Sequence, residues 1–209
     1  MKNRISWVLL ALLAIAIGLY PITYFFVNKD FGLFSTKSTE LLGNSMWNVG
    51  FYTHIILGGL ALLVGWLQFS DRLRQKNINL HRMIGKVYII SVLLSAIAAF
   101  GIAFFATGGW VASFGFICLA LIWFYTTLAA YLTIRKGKVV QHQKMMIYSY
   151  AATFAAVTLR IWLPMLIVIF GHFVTAYVIV AWLCWVPNLM VGYWIVRKTV
   201  LMPSTGISS

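Results

Sequence analysis

Acidic side chains are almost absent from this sequence. Three Asp and Glu stand against 16 Lys and Arg in 209 residues. Asp30, Glu40 and Asp71 are the whole set, and all three fall between apolar runs. That excludes a Ser-His-Asp triad and the intramembrane carboxylate relay that proton-coupled transport generally needs. Cysteine is scarce too. Cys118 and Cys184 lie within apolar runs and give neither a disulfide framework nor zinc-finger spacing. No HExxH, Walker A or GxGxxG pattern occurs. The apolar runs lack the paired Gly/Pro interruptions that mark discontinuous transporter helices. In span 5 Pro164 is expected to introduce a kink, and it can free backbone carbonyls there.

What is present is apolar. Hydrophobic residues make up 62% of the chain and charged residues 9%, against roughly 25% charged in a soluble domain. Lipid must cover that surface. Runs of about 20 apolar residues suffice to cross a bilayer, and six qualify: about 7–27, 47–69, 83–106, 110–134, 145–170 and 173–196. The expected fold is all-α, one polytopic membrane domain over residues 1–209. The basic start Met1–Arg4 resembles a signal peptide, but the run after it exceeds the roughly 7–15 residues of a signal core. It reads as an uncleaved first span.

The formal charge of +13 does not indicate nucleic acid, because the basic residues punctuate apolar segments instead of forming a patch. They sort by side. The termini and alternate loops hold Lys2, Arg4, Arg72, Arg74, Lys76, Arg82, Lys86, Arg135, Lys136, Lys138, Lys144, Arg197 and Lys198, whereas the other loops hold only Lys29 and Lys37. The positive-inside rule then puts both termini in the cytoplasm, with the plasma or inner membrane as the expected location. Segment 28–46 is the one long outer piece. Its Phe31, Leu33, Phe34, Leu41 and Leu42 suit a segment lying on the membrane surface or folded over the bundle.

Polar and small residues recur at helical spacing, which marks interior faces. These are His54, Gly58, Ala61, Gly65 and Gln68 in span 2, and His81, Gly85, Tyr88 and Ser95 in span 3. Span 5 adds His142, Met146, Ser149, Thr153, Ala156 and Arg160; span 6 adds Trp185, Asn188 and Gly192. For any one Gly, Ser or Thr, helix packing is a sufficient reason. Arg160 is different: an arginine at a helix centre costs roughly 2.5–3.5 kcal/mol on insertion scales. Its partner is either Glu40, Asp30 or a backbone carbonyl, or else an anionic ligand group such as a haem propionate or a lipid phosphate. His54 is expected nearly level with it.

His81 and His142 form a second constellation at the cytoplasmic mouths of spans 3 and 5. A weak repeat links them, since Arg74 and Arg135 each precede a histidine by seven residues. Two facing imidazoles there suit the axial ligands of a b-type haem. The plainer alternative is two interfacial histidines bonded to a carbonyl or a headgroup. His172 reads as a turn residue.

His54 with Gly58-Gly59 and Gly65–Phe69, then His81–Tyr88, Met146–Arg160 and Trp185–Leu189, resemble the bacterial family called domain of unknown function 2306. The resemblance runs from about residue 47 onward and implies membrane proteins without an assigned activity. It also implies that His54, His81, His142, Arg160 and Asn188 belong to the family pattern. A looser, fold-level likeness to cytochrome b561-type and ferric-reductase-type membrane cytochromes rests on histidines facing a bundle interior. Those hold two haems, whereas only one plausible histidine pair is found here.

The expected function is therefore cofactor binding or membrane electron transfer. His81 and His142 are the metal ligands, His54, Arg160, Asn188 and Gln68 complete the binding residues, and the catalytic residues are unknown. The alternatives are an assembly factor for a respiratory complex, and a transporter or lipid-binding protein for an anionic ligand. The bilayer is the implied partner, alongside a membrane protein or a second copy of the chain.

Overall fold

A computed structural model describes residues 4–26 and 33–198. Lys2, Lys29, Asp30 and Phe31 therefore lie outside the described residues. Those described are helical apart from turns and short links. Bilayer interiors offer backbone groups no water, so each span must satisfy its own N–H and C=O groups as a helix. Six stretches are long and apolar enough to cross: Trp7–Phe25, Ser45–Phe69, Ile78–Ala103, Gly109–Arg135, Val139–Phe170 and Phe173–Val196.

In chain order, α1 (Arg4–Leu19) tightens into a 3₁₀ turn at Tyr20–Phe25, where Pro21 sits at the start. A short α2 (Thr39–Gly43) precedes α3 (Ser45–Gly65). Then come α4 (Asp71–Lys76), α5 (Ile78–Ala103), α6 (Gly109–Arg135), α7 (Val139–Thr153), α8 (Ala155–Phe170), α9 (Phe173–Leu183) and α10 (Val186–Val196). The starts of α2 to α5 are capped by side chains that accept an orphan N–H. Asn44 caps α3, Ser70 caps α4, and Asn77 caps α5 through Leu80 N at 2.9 Å. The α5–α6 hairpin turns at Gly108 with φ +95°, where a Cβ would also run into Val178. Gly171, at φ +69°, turns α8 into α9.

Spans 3 and 5 begin earlier than their apolar runs. Residues 78–82 and 139–144 are polar but helical, because basic side chains at a span end can reach the interface while their backbone continues the helix. His81 and His142 are thus within the first turns of α5 and α7.

Spans 5 and 6 are both interrupted, although no Gly/Pro pair signals it. Helix geometry lapses at Phe154 and again at Cys184-Trp185. Thr153 bonds back to Ser149 O at 2.9 Å and Thr158 to Phe154 O at 3.3 Å, a pattern that bends helices. In span 6 the cause is Pro187, whose ring crowds the carbonyl four residues back. Asn188 ties the breaks together, donating to Ala151 O, Thr158 Oγ1 and Cys184 O.

The central bundle comprises α3, α5, α6 and α7. α3 packs on α5, α5 on α6, α6 on α7, and α7 closes on α3. α5 and α7 therefore run parallel and diagonally opposite, as do α3 and α6. Small residues permit the tight crossings: a Cβ on Gly65 would meet Tyr150 at 2.6 Å and Tyr88 at 2.8 Å. α1 packs outside on α3 and α8, and α9 on α6 and α8.

The described part of the segment before α3, from Leu33, packs back against the bundle. Phe34 is 3% exposed and packs with Trp47 and Phe51. Thr36 shares a 2.9 Å hydrogen bond with Thr107 in the α5–α6 turn, and Lys37 donates to the Phe105 carbonyl and to Thr107.

Candidate functional site

Polar residues inside the bundle fall into three levels. The middle level is a closed network. Tyr88 of α5 is hydrogen-bonded to Ser149 at 2.7 Å and to Thr153 at 2.9 Å, both on the diagonal helix α7. Trp123 Nε1 of α6 donates to Thr153 Oγ1 at 2.9 Å, and Thr127 shares a 2.6 Å bond with Ser149. All five residues are buried, and each polar side-chain atom has a partner. The interior-face spacing brings out Tyr88, Ser149 and Thr153 but misses Trp123 and Thr127. Thr126-Thr127, in the midst of an apolar run, was the available signal.

That network sets the register of α5 against α7. His81 precedes Tyr88 by seven residues and His142 precedes Ser149 by seven, two helical turns in each case. Since the helices are parallel, both histidines lie at one level toward the basic end, on the faces that carry the network. They are near enough to act on one another electrostatically, and His81 also feels Arg74 and Arg82. His142 Nδ1 is 2.8 Å from Ala130 O; a carbonyl partner puts the proton on Nδ1 and leaves Nε2 as a lone-pair donor. His81 Nδ1 is buried with no hydrogen-bond partner. Gln68 reaches the same place, donating to the His81 carbonyl at 3.3 Å and resting its amide oxygen over Gly85. Among the described residues, no group of three or more His, Cys, Asp or Glu could hold a metal ion.

The third level surrounds Arg160 in α8. Its Nη1 donates to Ala156 O at 2.8 Å, its guanidinium lies 4.3 Å from the centre of the Tyr20 ring, and its Nε is buried without a partner. Among the described residues, the backbone carbonyl is the expected partner that is realised; Asp30 lies outside them. Glu40 is exposed, and among the described residues Arg160 makes no ion pair. Tyr24 and His54 lie within electrostatic reach. His54 Nδ1 faces Ser95 Oγ at 3.1 Å, and its ring meets Trp123 edge-on. Tyr20 was missed in the sequence because an aromatic near a span end looks like an interfacial anchor. Asn188 belongs to neither histidine level nor the arginine; its contacts staple the two helix breaks. His172 is an exposed turn residue before α9.

Residues 51–196 match the family model described as predicted membrane protein (DUF2306), and the chain belongs to that family. No curated protein and no solved structure matches it.

Proposed function

We propose that this protein holds a b-type haem between His81 and His142 and serves in membrane electron transfer, with the histidine level at the cytoplasmic face of the plasma membrane. One observation carries the reading. The Tyr88–Ser149 bond fixes α5 against α7, and two turns from it each helix carries a histidine at the same level. Bundle cores commonly build cofactor sites from facing helices in this way.

The chemistry of the two side chains supports it. Metal-bound imidazoles generally donate their second N–H to a carbonyl or carboxylate, which fixes tautomer and ring plane. His142 already makes that bond to Ala130 O. Haem bound there would supply one-electron chemistry. The chain would supply two neutral nitrogens, a low-dielectric wall and the basic rim of Arg74 and Arg82. Gln68, which donates to the His81 carbonyl, would border a group held there. The cytoplasmic orientation rests on the Lys and Arg bias between loops.

The test is haem titration of purified protein in detergent, followed at the Soret band. One equivalent should bind in the wild type and none in His81→Ala or His142→Ala. A wild type that takes up no haem, or variants that take it up equally, would reject the reading.

A further inference from the structure

We infer that Arg160 anchors a second binding site, for the carboxylate or phosphate of an anionic amphiphile entering from the lipid between α1 and α8. It is separate from the histidine pair. Arg160 lies 18 residues beyond His142 along span 5, about 27 Å at 1.5 Å per residue, with the closed network between them.

The guanidinium has five N–H donors and no acceptor role. One Nη1 donor is used on Ala156 O, and the Tyr20 ring covers a face. With Nη1 committed, the opposite edge of the group, Nε with Nη2, has no acceptor among the described residues, and Nε is shut off from solvent. That side edge is the fork that matches two oxygens of a carboxylate or phosphate. The groups within electrostatic reach, Tyr20 and Tyr24 from the α1 side and His54 from α3, bring no carboxylate. Among the described residues no counter-charge meets it; a buried cation left so is costly, and an anion on that edge removes the cost.

The backbone agrees. α8 begins at Ala155, so the side chain, turned back toward Ala156, lies beside the positive end of a half-helix at depth, an arrangement used for anionic groups in membranes. The seam opens to lipid, since Tyr20 is 40% and Ile161 45% exposed. A tail can remain among acyl chains while the charged end reaches the fork.

The experiment is equilibrium binding to purified full-length protein in nonionic detergent. The probes are a fluorescent long-chain fatty acid, the alcohol of the same chain, and fluorescent phosphatidylglycerol. The fatty acid should bind and the alcohol should not; phosphatidylglycerol binding in its place assigns the same fork to a lipid phosphate. Arg160→Gln should weaken the bound anion by at least about tenfold, and His81→Ala should leave it unchanged. Arg160→Lys keeps the charge without the fork and should fall between, which preserves the test if Arg160→Gln does not fold. Equal binding of acid and alcohol, binding of neither anion, or wild-type affinity in the Arg160→Gln or Arg160→Lys variant would overturn the assignment.

Discussion

The middle of the bundle and its basic end are both polar and both built on α5 and α7, yet they differ in one respect. At Tyr88, Ser149, Thr153, Trp123 and Thr127 the side-chain polar atoms are paired within the protein. At His81 and His142 one nitrogen is buried without a partner, and the other imidazole is oriented by a carbonyl with its second nitrogen left over. A satisfied network rigidifies helices and needs nothing more. An unsatisfied one has capacity for a ligand. In an apolar bundle, the polar residues of functional interest are those whose valences the fold does not close.

The largest expected effect comes from breaking the open end. His142→Ala should abolish haem retention while lowering the melting temperature little, because it removes one half-buried hydrogen bond; absorbance and thermal unfolding of one preparation check both. Next is the tight crossing at the sealed level. Gly65→Ala places a Cβ 2.6 Å from the Tyr150 ring and should destabilise by roughly 1–3 kcal/mol, read as earlier thermal unfolding in detergent. Tyr88→Phe removes only the hydroxyl at the centre of the network. Hydrogen bonds between membrane helices average about 0.6 kcal/mol and reach about 1.7, so a loss of about 1 kcal/mol is expected, with haem still bound. Complete loss of haem in Tyr88→Phe would mean that the two levels are one unit.

The smallest effect lies on the segment before α3. Burial pushes the Lys37 amine down from its ordinary 10.5 to about 8. Between those values a detached segment holds a proton that the docked one has lost, so docking strengthens as pH rises from 8 toward 10.5 and is flat below 8. A spin label at Thr39 should become less mobile over that range, and Lys37→Met should remove the dependence.

The six spans were legible because each is a long apolar run with polar breaks, and lipid permits such a run only as a helix. The His81–His142 and His54–Arg160 neighbourhoods were legible from helical spacing and depth. The starts of α5 and α7 were not, because Asn77–Arg82 and Val139–Lys144 look like loop by hydropathy, while Asn77 caps α5 and both segments continue as helix. The break at Phe154 was hidden because its cause is threonine back-bonding and the Asn188 staple, which depend on a partner helix. Trp123 and Tyr20 were hidden for a related reason: an indole or phenol in an apolar run has the same pattern whether it faces lipid or a hydrogen-bond partner.

The most direct test compares reduced-minus-oxidised visible spectra of the wild type, Tyr88→Phe and His142→Ala, purified after expression with haem supply. The account predicts a b-type α band in the first two and none in the third. No band in the wild type, or a band that persists in His142→Ala, would contradict it.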